Sequence, residues 1–253
     1  MADGLPTIAV LGGTGSEGWG LALRWAIAGY PVIVGSRAAE RAARAAAEIE
    51  EAANETLSAN ALDVELDRAE LARRLARPVA DAASVRGMAN RDAAAACDIA
   101  VLAVPFAAQR ATADDVKDAL AGKILVDVTV PLVPPRVLRV QLPDGGSAVA
   151  ALQEAVGKEV RVVSAFQNIA AAHLRDPDHP IDCDILVCGD DKAAREEVIK
   201  LAEAAGMKAW HCGPIANSAA AEALTSLLLF INRDYGIDGA GIRITGTPTK
   251  TDG

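Results

Sequence analysis

Three glycines stand at fixed spacing between the apolar run Thr7-Ile8-Ala9-Val10-Leu11 and a helix-forming stretch, Trp19 to Ala28. They lie in Gly13-Thr14-Gly15-Ser16-Glu17-Gly18, which fits G-x-G-x-x-G. The run before them is short, apolar and rich in β-branched residues, as a buried parallel strand is. A strand, a glycine turn and a helix in that order form the phosphate-binding end of a dinucleotide site. In this reading Gly13 permits the tight turn, Gly15 lets the backbone approach a pyrophosphate, and Gly18 lets helix and strand pack closely. The helix N-terminus then offers free N–H groups and a positive dipole end to the phosphates. The competing reading is a glycine-rich turn with no ligand. It leaves the strand–turn–helix context unexplained.

The end of the second strand, Pro31 to Gly35, selects the nucleotide. NAD binders place an acid there to hold the ribose 2′-hydroxyl. Here the chain reads Val34-Gly35-Ser36-Arg37, with Arg41 one helical turn on. A hydroxyl and guanidinium groups suit a 2′-phosphate, which a carboxylate would repel. Ser36, Arg37, Arg41 and Thr14 therefore predict NADP(H). The alternative is that Arg37 and Arg41 are only solvated surface residues.

Strands alternate with helices along most of the rest. Strands are expected at Ser84–Met88, Ile99–Val104, Lys123–Val130, Val160–Ala165, Ile185–Cys188 and Lys208–Cys212. Helices are expected at Thr112–Leu120, Ser147–Val156, Lys192–Ala205 and Ser218–Tyr235. The stretch from Ala38 to about Arg77 is helix-forming, with a break expected near Asn60 to Asp63. The fold class is α/β: a Rossmann-type, doubly wound, mostly parallel sheet with a small C-terminal domain. Residues 1–165 form the NADP-binding Rossmann domain. Residues 166–253 form the small domain, which serves the acceptor site and a dimer interface. The last helix is apolar on nearly every side, so it is expected in a core or between subunits.

In such sheets ligands lie beyond the carboxyl ends of the strands. Those ends are Val104-Pro105-Phe106, Thr129-Val130-Pro131 and Ala165-Phe166-Gln167-Asn168-Ile169. They are mostly apolar and suit a nicotinamide ring. No strong general acid or base is evident. Tyr30 and Tyr235, the two tyrosines, lie in no Y-x-x-x-K, and His173 is the best candidate base. Such a site suits hydride exchange between two rings, with the protein supplying orientation and exclusion of water.

The net charge of −9 argues against a nucleic-acid partner. No apolar run is read as long enough to span a membrane, and the start lacks signal-peptide features, so the cytoplasm is expected. Cys97, Cys183, Cys188 and Cys212 form no C-x-x-C pair. Cys97, Cys188 and Cys212 are expected as buried thiols. The three scattered histidines argue against a metal site.

Several segments together resemble the NADPH-dependent reductases of the deazaflavin coenzyme F420. They are Ile8 to Gly15, Gly20-Leu21-Ala22-Leu23-Arg24, Val34 to Arg37, Ala96 to Leu102, Val187 to Asp191, Gly213 to Ser218, Glu222 to Thr225 and Gly239 to Ile244. The resemblance covers nearly the whole chain. It implies a Rossmann domain with a small C-terminal domain, usually a homodimer. It also implies reversible hydride transfer between NADP(H) and F420, stacked ring to ring. It matches Thr14, Ser36, Arg37 and Arg41 to the 2′-phosphate, and Gln167 to Ala171 with the region around Ala240 to the deazaflavin. Gln167 and Ala170 stand where the family carries His and Pro, and residues 47–84 resemble an insertion. The site residues expected are thus Gly13, Thr14, Gly15, Ser16, Gly18, Ser36, Arg37, Arg41, Val104, Pro105, Gln167, Ile169 and Ala240, with no catalytic acid or base. The rival functions are an NADPH-dependent reductase of a flavin or other small acceptor, a non-enzymatic NADP(H) sensor and, ranked low, an imine or hydroxy-acid reductase.

Overall fold

A computed structural model describes residues 4–63 and 82–249. One eight-stranded sheet runs through it in the order β3-β2-β1-β4-β5-β6-β7-β8. Its strands are β1 (Ile8–Leu11), β2 (Val32–Ser36), β3 (Val85–Ala89), β4 (Ile99–Leu102), β5 (Ile124–Asp127), β6 (Arg161–Ser164), β7 (Asp184–Gly189) and β8 (Lys208–His211). Strands β1 to β6 are parallel, in the registers Ile8↔Val32, Ile8↔Ile99, Ile99↔Ile124 and Ile124↔Arg161. Strand β7 pairs antiparallel with β6, and β8 parallel with β7. Every residue of β1, β2, β4 and β5 is buried. These strands are therefore near-continuous apolar runs, with helices covering both faces.

The helices are α1 (Ser16–Ile27), α2 (Ala39–Asp63), α3 (Asn90–Ala96), α4 (Phe106–Val116), α5 (Ala148–Val156), α6 (Ala171–Arg175), α7 (Lys192–Ala204) and α8 (Ser218–Tyr235). Helix α1 starts three residues before Trp19, directly on the glycine loop. Helix α2 reaches Asp63, and the expected helix beyond it lies outside the described residues. The stretch expected as one helix over Thr112–Leu120 is the end of α4 followed by a 3₁₀ turn, Lys117–Leu120. The chain doubles back between β1 and β4, which lie side by side although β2, β3 and the helices α1, α2 and α3 separate them in sequence. That reversal opens the crevice in which open α/β sheets bind ligands.

Helix α8 occupies the expected residues, but its burial is one-sided. Ser218, Ala221, Glu222, Ser226 and Leu228 are buried, whereas Leu227 and Phe230 are 52% and 42% exposed. With the preceding turn, Ile215–Tyr235 meets a membrane span by length and mean hydropathy, 1.3, which corrects the reading that no run does. The helix is nevertheless docked on the sheet domain by polar contacts. The carboxylate of Glu222 accepts from the Ser147 hydroxyl (2.6 Å) and from the backbone N–H groups of Ala148 (2.8 Å) and Val149 (3.2 Å). A carboxylate at the N-terminus of α5 satisfies donors that have no partner inside that helix.

Candidate functional site

The loop after β1 meets the ends of β2, β3 and β4. Backbone N–H groups of Gly12 and Gly13 both donate to the Gly35 carbonyl, at 3.0 and 3.1 Å. The positive φ that turns the chain belongs to Gly12, at 79°, not to Gly13 as the fingerprint suggests. A Cβ on Gly12 would lie 2.5 Å from the Val104 side chain, so this turn also needs the missing side chain. Gly18 has the expected role: its Cβ would lie 2.9 Å from the Gly13 Cα and 3.0 Å from Ala103. At Gly15 a Cβ would make only ordinary contact, 3.5 Å from the Gly12 carbonyl. The opening there lies at the start of α1, beside Ser16 and Thr14, where a pyrophosphate would sit. Asn90, at the start of α3, braces the loop through Oδ1, which accepts from Gly12 at 3.4 Å. Sequence reading missed Asn90, because 78 positions separate the partners.

Ser36 ends β2 and is buried, and Arg37 and Arg41 are exposed beyond it. Neither arginine has a side-chain partner among the described residues. Val104 and Pro105 follow β4, and the Val104 side chain lies against Gly12.

The end expected to take the acceptor is more polar than the sequence suggests. Asp127 ends β5, is fully buried, and takes the Gln109 amide at 2.5 Å and the Thr129 N–H at 2.9 Å. Burial pushes its carboxyl up to about 6, partly opposed by the hydrogen bonds from Thr129 and Gln109, and nearby Glu222 adds to the rise. Asp127 thus adds a desolvated titratable group to strand ends expected to be mostly apolar, with no strong acid or base evident. The signal available was the one acid closing the otherwise apolar run Ile124-Leu125-Val126-Asp127. The unfolded carboxyl, near 3.8, releases its proton before the native one does. Its contribution therefore favours folding at low pH and is lost as pH rises from about 4 through about 6. Replacing it by Asn should flatten that part of the stability–pH profile and add up to ~3 kcal/mol at pH 8, read by urea unfolding. An unchanged profile would show that Asp127 is not the group responsible.

Glu17 lies in the first turn of α1, where burial and then the charge of Asp127 push its carboxyl up to about 8. Protonated, it tolerates a neighbouring pyrophosphate; ionised, it repels one. NADP(H) affinity should therefore fall severalfold as pH rises through about 8, and Glu17→Gln should remove most of that fall in a titration across pH 7–9.

Past β6, Phe166 takes a φ of 75°, rare for a non-glycine residue, and stacks edge-on against Trp25 at 5.9 Å. The turn carries Gln167 back under β5. Its side-chain amide donates to the Asp127 carbonyl at 2.8 Å, and its own carbonyl accepts from Thr225 of α8 at 2.7 Å. Gln167 Oε1, Asn168 Oδ1 and Ser164 Oγ are buried without a protein partner among the described residues. Buried polar atoms are ordinarily satisfied, so this cluster marks where a ligand or water belongs.

Ile169 and Ala170 line one wall of a cavity of about 110 Å³, with Gly239 and Gly241 on the other. Ala240, between those glycines, donates its N–H to Asn232 of α8 at 2.7 Å. The two segments expected at the acceptor thus meet. His173, the candidate base, is stacked on His179 with ring centroids 3.9 Å apart, and a Cβ on Gly239 would strike its ring at 2.2 Å. It is a packed wall residue of the cavity. No group of three or more His, Cys, Asp or Glu side chains able to hold a metal occurs among the described residues.

One side chain ties the two ends together. Arg24 of α1 gives its guanidinium to five backbone carbonyls: Leu174 (3.1 Å), Ala205 (3.4 Å), His173 (2.8 Å), Asp176 (2.7 Å) and His179 (3.0 Å). The helix that begins at the glycine loop thereby holds one wall of that cavity.

A glycine loop opening a helix at the reversal of a doubly wound sheet, with a polar acceptor end beside it, defines a dinucleotide-binding protein of the Rossmann type. A family model described as NADP oxidoreductase, coenzyme F420-dependent, matches residues 7–131. The F420-dependent NADP reductase of Methanocaldococcus jannaschii is 40% identical over 94% of this chain and 97% of its own. That of Methanothermobacter thermautotrophicus is 38% identical over 96% of each. The crystal structure of a candidate F420-dependent NADP reductase from an Arthrobacter species superposes with a TM-score of 0.72 at 25% identity, over 96% of this chain and all of that one. The chain belongs to the F420-dependent NADP reductase family.

Proposed function

We propose that the chain is an oxidoreductase that moves hydride reversibly between NADP(H) and coenzyme F420. The observation that carries this reading is the acceptor cavity. Its walls include Asn168 to Ala170 and His173 on one side and Gly239 and Gly241 on the other, and Arg24 ties the first of them to the helix that follows the glycine loop. The relatives carry the same pair of ligands in their names.

Thr14, Gly15 and Ser16 would hold the pyrophosphate, and Ser36, Arg37 and Arg41 the 2′-phosphate. Val104 and Pro105 would lie against the nicotinamide, and Gln167, Ile169 and Ala240 against the deazaflavin. Bound together, the two rings supply both the hydride and its destination. The chain's own part is to align them, exclude water and complete the polar contacts that the buried Gln167 Oε1 and Asn168 Oδ1 leave open. Residues 1–165 serve the nucleotide, and residues 166–253 serve the acceptor and a second copy of the chain. The exposed Leu227, Phe230 and Ile237 suit that contact in a cytoplasmic homodimer, which analytical ultracentrifugation tests.

The decisive assay mixes the protein with NADPH and F420 and follows the deazaflavin absorbance. Turnover is expected. Transfer to a free flavin with none to F420 would make the protein a flavin reductase, a reading to which Gln167 lends itself. Tight NADPH binding with transfer to neither ring would make it a nucleotide sensor.

A further inference from the structure

The carboxyl end of β7 and the end of β8 bring two cysteines together, one of which, Cys188, pairs across the sheet with Ser164 of β6. Strand register pairs Val187 with His211, and the Cys212 N–H continues the ladder to the Val187 carbonyl at 2.8 Å. One step further along, Cys188 and Cys212 stand opposite each other, on the face that Val187 and His211 do not use. The Cys188 sulfur lies 4.0 Å from the Cys212 carbonyl oxygen. Adjacent strands run about 4.8 Å apart. That is within the span of roughly 4.4–6.8 Å between the Cα atoms of a disulfide. The two cysteines differ in access: Cys188 is 1% exposed, whereas Cys212 is only half-buried, contrary to the expectation of a buried thiol.

We propose that Cys188 and Cys212 form an oxidisable dithiol, in which Cys212 attacks small disulfides and Cys188 resolves the adduct into an internal bridge. The electronic setting agrees with these roles. The hydrogen bond between the two thiols pulls Cys212 down to about 7, against the opposing effect of burial. Cys188 is pushed up, by that same hydrogen bond first and by burial second. The attacking species is the thiolate, so the accessible, lowered thiol reacts first. Its sulfur bonds to one sulfur of a disulfide RSSR and expels RS⁻. The Cys188 sulfur then bonds to the Cys212 sulfur and expels the second RS⁻. The two cysteine protons pass to the two leaving thiolates. Two cysteine thiols are oxidised by two electrons, and RSSR is reduced to two RSH. The bridge would lie at the root of α8, because the Cys212 carbonyl accepts the Asn217 amide (2.7 Å) just before that helix begins.

The test uses the full-length protein and bis(2-hydroxyethyl) disulfide, read by intact mass and by peptide mapping without reductant. The chemistry needs neither NADP(H) nor an acceptor, so its outcome is separate from that of the hydride assay. The wild type should lose two hydrogens, give one linked peptide containing both residues, and return to its starting mass with dithiothreitol. Cys188→Ser should stop at a stable adduct on Cys212. Cys212→Ser should remain unmodified while folded, as should Cys97 and Cys183 in every variant. A wild type that accumulates only the Cys212 adduct, or that does not react there, would overturn the proposal. So would adduct formation on Cys188 in folded Cys212→Ser at the wild-type rate.

Discussion

Arg37→Asp should weaken NADPH binding about 100-fold, a change of ~2.7 kcal/mol, while leaving NADH affinity unchanged or improved. The substitution removes a guanidinium that can grip a phosphate in two places and puts a like charge in its stead. It also recreates the strand-end acid with which NAD binders hold the ribose 2′-hydroxyl. Ser36 and Arg41 stay in place, so binding should weaken rather than vanish. Arg37 is exposed, and the difference between wild type and variant should shrink as salt is added. Titrating both nucleotides against both proteins at two ionic strengths measures this. If the variant kept its NADPH affinity, Arg37 would be an ordinary surface residue and the 2′-phosphate site would lie elsewhere.

Arg24→Met should cost stability on the order of 3–5 kcal/mol, enough to lower the melting temperature by roughly 10 °C in a chain this long. Methionine retains much of the aliphatic volume but leaves five carbonyls without their donor, and the surroundings of the guanidinium are largely closed to water. Lysine keeps the charge but not the planar fork, so Arg24→Lys should recover only part of the loss. The functional effect should fall on one side. The carbonyls released belong mainly to residues 173–179, which wall the acceptor cavity, while the phosphate loop keeps its own bonds to Gly35. KM for the acceptor should rise severalfold, with NADPH affinity little changed. Equal losses for both ligands would mean that Arg24 only holds the fold together.

The nucleotide half was largely legible in the sequence because its determinants are local. The loop from Gly13 to Gly18 and the end of β2 each lie within a few residues of chain. Spacing there translates directly into a glycine turn followed at once by a helix N-terminus. Element positions were legible for the same reason. Buried parallel strands must be apolar runs, and Ser218–Tyr235 reads as one uninterrupted helix until Gly236 ends it with a left-handed φ of 64°. Even so, the turning glycine proved to be Gly12. A motif fixes spacing, but only the backbone angle, a φ of 79° at Gly12, shows which glycine turns the chain.

The acceptor half was legible as segments but not as chemistry. Asp127 looked like the tail of a strand, and only its burial, with Glu222 nearby, raises its carboxyl, against the opposing hydrogen bond from Gln109. Arg24 looked like one charge on a helix, and its partners lie about 150 positions away. Helix α8 looked apolar all round, and its docking through Glu222 and Thr225 decides which face is covered. By itself the sequence determined the sheet's class, the glycine loop between β1 and α1, and a hydroxyl and guanidinium in place of an acid at the end of β2. Those properties follow from backbone freedom, periodicity and the kind of charge at a known strand end. The tertiary structure alone decided which polar groups are desolvated, which remain unpaired and what holds the acceptor wall. Solvation and long-range contact belong to the packed chain, and no short window of residues contains them.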